Sequence, residues 1–67
     1  MSNHIERMKL EHKALKAKID ALSAFIYGNE IFKQLDELEQ VRMVKQLAFM
    51  ESYLSVLTER IWTASDE

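Results

Sequence analysis

The chain has 67 residues, no cysteine and no proline, and 9 Lys+Arg against 11 Asp+Glu for a net charge of −2. Without cysteine there are no disulfides or thiolate metal sites, and two histidines without a clustered acid make no metal centre. The mild acidity argues against broad electrostatic binding to duplex nucleic acid. A chain this short buries little core of its own, so self-association is the remaining way to stabilise it.

The N-terminal stretch MSNHIERMKLEHK places charges where a signal peptide has its apolar core. No apolar run approaches the roughly 20 residues of a membrane span. A cytoplasmic protein that contacts no membrane is expected.

A first long helix is predicted from about residue 3 to residue 26. Asn3 followed by Glu6 resembles a capping box at its start. Ile5, Met8, His12, Leu15, Ile19, Leu22 and Ile26 then recur at alternating spacings of three and four. That is the 3.5-residue period with which helices lock side by side. His12 falls on this seam, where a packed, hydrogen-bonded histidine is the ordinary reading. A register-setting polar position or a pH-sensitive contact are the alternatives. Arg7, Lys9, Lys13, Lys16 and Lys18 concentrate the basic charge in this helix. They form a solvated face or, in the functional reading, a cradle for a small anionic ligand. Lys18 stands out because it precedes seam residue Ile19 and so lies beside the packing edge.

Tyr27-Gly28-Asn29 supplies a stop, since Gly and Asn tolerate the left-handed conformation that ends helices. Residues 27–36 form a connector in which Ile31, Phe32 and Leu35 allow one helical turn and would plug the end of a hairpin. Asp36 followed by Glu39 is a second capping signature. A second long helix is predicted over about residues 37–63, with Met43, Leu47, Met50, Leu54, Leu57 and Ile61 repeating the seam. The methionines are read as gap-filling core residues. The chain is thus read as one domain, an all-α antiparallel helical hairpin with a short connector helix, assembled as a symmetric homo-oligomer.

The second helix carries more apolar surface than one partner covers. Val44, Ala48, Phe49, Tyr53, Val56 and Trp62 lie beside its seam and mark an interface between copies. The plainer reading folds the connector and the chain start over part of this stripe. Arg60 lies near the helix end, where a cation complements the helix dipole; repeated round a symmetry axis, it would line an anion pocket. No phosphate loop, catalytic triad or paired acid–base carboxylates are visible, and Glu37 and Glu39 simply suit a first helical turn. The chain is expected to be no enzyme and to need no cofactor.

Leu15-x-x-Lys18-Ile19-x-x-Leu22-x-x-Phe25-Ile26 resembles one half of a small phage family. Phe32-x-x-Leu35, Glu39, Gln46, Met50, Tyr53 and Val56-Leu57-x-x-Arg60-Ile61 resemble the other half. The family is that of the phage anti-CBASS sponges, and the resemblance spans roughly residues 4–62. It implies compact helical hexamers that sequester the cyclic di- and trinucleotide messengers of bacterial immune cyclases, in the host cytoplasm. It also implies a lysine contacting phosphate in a pocket between protomers, matched by Lys18. The family's stacking aromatic falls at or next to His4. This chain has Asn3-His4 there, with an imidazole that can stack and donate. A separate trinucleotide site at a threefold axis is implied, with Arg60 as its arginine. Asn3 would add polar contacts, and Arg7, one turn from His4, would assist. The rival function is a helical-hairpin regulatory module binding RNA or protein, with the basic part of the first helix as its face.

Overall fold

A computed structural model of the protein describes residues 3–65. Among the described residues three helices follow in order: α1 (Asn3–Gly28), α2 (Glu30–Gln34) and α3 (Glu37–Ser65). Among the described residues only Asn29, Leu35 and Asp36 lie outside a helix. α1 and α3 pack along one another as an antiparallel hairpin measuring 49 × 15 × 13 Å. Both long helices extend about two residues past their predicted C-terminal ends.

Every seam residue named above is buried or half-buried. Leu15, Ile19, Ile26 and Leu47 form the central cluster, with Leu22, Phe32, Met43, Met50 and Leu54 packed against it. Met8 and Leu57 continue the core toward the chain ends, and Leu57 is fully enclosed. Burying each such side chain contributes about 1.5–3 kcal/mol. The 3.5-residue period is the cause: it keeps one stripe of each helix facing its neighbour along the whole length.

The turn is built differently from the left-handed stop expected at Gly28-Asn29. No described residue has positive φ, and Gly28 is helical. α1 keeps its regular bonding to the end, with Asn29 N donating to Phe25 O at 3.2 Å. Asn29 then becomes extended (φ −109°, ψ 127°), and its Oδ1 accepts from Ile31 N at 2.8 Å, capping α2. The asparagine works as an N-cap for the next helix instead of a left-handed end to the last.

Asp36 caps α3 as expected, its Oδ2 accepting from Leu38 N at 3.1 Å. Glu39 pairs at the surface with Arg42 at 3.7 Å. Gln40 supplies a clasp: its Nε2 donates to Leu35 O at 2.9 Å and Lys33 O at 3.3 Å. Carbonyls left free at the end of α2 are thereby satisfied from α3. Phe25 and Phe32 meet edge to face at 6.1 Å and 87°. Phe32 and Leu35 plug the hairpin, but Ile31 points outward and remains 55% exposed. A five-residue helix presents one narrow inner face, which Phe32 occupies.

Asn3 lies within the first turn of α1 and is no cap; the position before it lies outside the described residues. The connector and the start of α1 leave the second stripe of α3 uncovered: Phe49 is 72% exposed and Trp62 69%.

Candidate functional site

Among the described residues, clefts lie on either side of the seam at the open end of the hairpin. The first, of about 370 Å³, is lined by His4 and Met8 from α1 and by Glu59, Arg60, Thr63 and Ala64 from α3. The antiparallel pairing creates it, because it sets the first turn of α1 beside the last turns of α3. Two residues far apart in sequence, His4 and Arg60, thus border one concavity. Its chemistry is mixed. Arg60 offers a planar, permanently charged fork of donors, suited to phosphate. His4 offers a flat ring with polar nitrogens. Met8 and Ala64 give an apolar floor, while the Glu59 carboxylate opposes any anion that enters.

The second cleft, of about 230 Å³, is lined by Lys9, His12, Thr58, Ile61 and Trp62. His12 Nε2 lies 3.1 Å from Thr58 Oγ1, and Thr58 Oγ1 donates to Leu54 O at 2.8 Å. A threonine hydroxyl has one hydrogen, spent on Leu54 O, so the imidazole Nε2–H is the donor across the seam. The half-buried His12 is therefore a hydrogen-bonded residue that locks the two helices in register. Among the described residues no buried side-chain polar atom lacks a partner.

Lys18 stands apart from both clefts within one chain. It is exposed on α1, fourteen residues beyond His4 and so about 21 Å away along the helix. The heptad spacing puts both on one row, with Glu11 between them and Phe25 beyond. Asn3 and Arg7 are exposed in the first turns of α1 and do not line the first cleft. One protomer therefore groups His4 with Arg60 and leaves Lys18 half a helix away. For His4 and Lys18 to touch one small ligand, the two side chains must come from different copies.

A third concavity, of about 390 Å³, lies on α3 nearer the closed end, between Arg42, Lys45, Gln46, Phe49, Met50 and Tyr53. Sequence reasoning missed Thr58, Glu59, Thr63 and Ala64 at the clefts and Gln40 at the closed end. Thr58 and Glu59 follow seam residue Leu57 directly, and only the register of α1 against α3 shows what they meet. Among the described residues no group of acids and histidines could hold a metal ion, and no helix is long and apolar enough to cross a membrane.

Neither the curated proteins nor the solved structures contain a match to the chain. The sequence model of the Sequestin family matches residues 2–63, almost the whole chain. Sequestins are phage anti-CBASS cyclic-nucleotide sponges, proteins that bind rather than catalyse. With a match that covers almost its whole length, this chain belongs to the Sequestin family.

Proposed function

We propose that this protein withholds cyclic di- and trinucleotide messengers from bacterial anti-phage immune signalling, as a symmetric hexamer in the host cytoplasm. The observation that carries the reading is the family match over residues 2–63. The geometry supports it in two ways. A 370 Å³ concavity with a guanidinium and an imidazole on its rim sits at the low end of the roughly 300–1,000 Å³ of ligand pockets. It is open on one side, and a second copy would complete it.

A cyclic dinucleotide carries two phosphates and two flat bases, so it wants cations and stacking faces in pairs, which a twofold interface supplies from one sequence. Stacking is worth about 1–3 kcal/mol per base, and each charge-assisted phosphate contact about 1.5–3 kcal/mol. Two of each sum to about 5–12 kcal/mol before ordering costs, and the upper end of that range corresponds to nanomolar affinity, near −12 kcal/mol. Nothing has to be cleaved, so inhibition is stoichiometric. Lys18 and His4 are assigned to the dinucleotide, with Arg7 assisting, and Arg60 to the trinucleotide, while Asn3 adds polar contacts.

The test is a thermal-shift panel of cyclic di- and trinucleotides, since a ligand that binds only the folded form raises the melting temperature. The folded protein is expected to shift with members of both classes; no shift with any of them overturns the reading. Lys18→Ala is expected to weaken dinucleotide binding by about 10- to 150-fold and spare the trinucleotide, with Arg60→Ala doing the reverse. Equal losses for both ligands in both variants would refute the two-site assignment. His4→Ala then reports which ligand the shared concavity serves.

A further inference from the structure

The smaller cleft at the open end has no part in the function proposed above. About 230 Å³ in volume, it takes Lys9 and His12 from α1 and Thr58, Ile61 and Trp62 from α3. Spacings of three and four residues bring each set to one side of its helix. The chemistry differs from that of the larger cleft. Among the described residues no carboxylate lines it, whereas Glu59 stands beside Arg60 in the other. Lys9 is exposed and has no ion-pair partner among the described residues. Trp62, the chain's one tryptophan, is 69% exposed, so much of its indole is left over from packing. Half-buried Ile61 adds an apolar wall.

We infer that this cleft is a second ligand site, which holds a purine nucleoside monophosphate with its base on Trp62 and its phosphate at Lys9. Three properties of the cleft select that chemistry. An indole offers a flat π-face on which a base stacks, and a purine covers more of it than a pyrimidine does. Lys9 supplies a cation for the phosphate, with no carboxylate beside it to compete. His12 supplies the third contact. Its Nε2–H is committed to Thr58, so in the neutral imidazole Nδ1, one carbon away on the same ring edge, is an acceptor. Nδ1 has no partner among the described residues and is not buried. A bare acceptor calls for an N–H on the ligand, which the exocyclic amine of adenine or guanine provides.

Size sets the upper limit on the occupant. The volume lies below the roughly 300–1,000 Å³ of sites for drug-sized molecules. It admits one base, with the ribose phosphate at the rim, and is too small for a cyclic dinucleotide with two bases. The hydrogen bond from His12 to Thr58 ties the two walls together, one from each helix, so the cleft is formed before a ligand arrives. The site follows from the cleft's own residues and does not depend on the cyclic-nucleotide reading.

Trp62 is its own reporter, because no other tryptophan contributes to the fluorescence. Adenosine monophosphate is expected to quench it along a saturating curve. Adenosine, which has the flat face without the charge, is expected to saturate at about tenfold higher concentration. Ribose 5-phosphate, the charge without the face, is expected to leave the emission unchanged. Linear quenching of the kind a free indole shows, or no quenching, overturns the site. Lys9→Ala alters an exposed side chain and is expected to remain helical by circular dichroism. It is expected to bind adenosine as the wild type does, and adenosine monophosphate no better than adenosine. Wild-type affinity for the monophosphate in this variant overturns the phosphate contact. A last arm separates the two clefts. In the presence of excess cyclic dinucleotide, adenosine monophosphate is expected to quench as before, and competition between the two overturns a separate site. Saturable quenching in a protein that no cyclic nucleotide stabilises would leave this site standing and overturn the sponge reading alone.

Discussion

The two ends of the hairpin are built on opposite plans. The closed end spends its polar groups on itself. Asn29 caps α2, Asp36 caps α3, Gln40 clasps the carbonyls of Lys33 and Leu35, and Phe25 and Phe32 meet edge to face. Among the described residues, the open end is bridged across the seam by the hydrogen bond from His12 to Thr58, and His4, Arg60 and Trp62 are exposed around the clefts there. The difference separates two jobs in a very small molecule. Where the chain turns, its backbone polar groups need partners, so the residues there are committed to structure. Where the helices simply end side by side, side chains remain free to meet a ligand or another chain.

The comparison breaks most readily at Leu57, a fully enclosed side chain of the open half. Leu57→Ala is expected to destabilise the fold by about 2–5 kcal/mol in chemical denaturation, because both transfer energy and packing are lost. A cost well under 1 kcal/mol would mean that the open end is not held by its seam. At the closed end the expected effects are smaller. Asp36→Ala removes the cap of α3 and is expected to cost about 1 kcal/mol, leaving nucleotide binding as it was. Loss of binding in a variant that is folded at the assay temperature would show that the ends are not separate. Smallest is Thr58→Val, which leaves His12 Nε2–H without its acceptor across the seam. About 0.5–1.5 kcal/mol is expected, read as a lower denaturant midpoint with an unchanged slope.

Much of the molecule was legible because period and helix are tied by geometry. The alternating spacing from Ile5 to Ile26 and from Met43 to Ile61 requires one stripe per helix, and burial follows that stripe residue by residue. The Asp36 cap was equally legible, since a side chain bonding two residues ahead is a local matter. Gly28-Asn29 was misread for a related reason. The same residue types end helices and begin them, and only the backbone angles tell which. Ile31 and Phe32 were alike in sequence as plugs, yet a single short turn has one inner face, and Phe32 took it.

The candidate site was legible only as separate residues. Lys18 and Arg60 stood out by type and by their place beside the seam, and His4 by the resemblance. Nothing in the linear chain says that His4 borders the concavity of Arg60, or that Lys18 lies about 21 Å along the helix from His4. By itself the sequence determined the helices, the seam and the family, because each is written in local spacing and residue type. Tertiary structure alone decided that His12 bonds Thr58, that His4 and Arg60 share a cleft, and that Lys9 and Trp62 share another. These depend on how two helices are set against each other, a relation carried by packing across the whole interface and by no single stretch of chain.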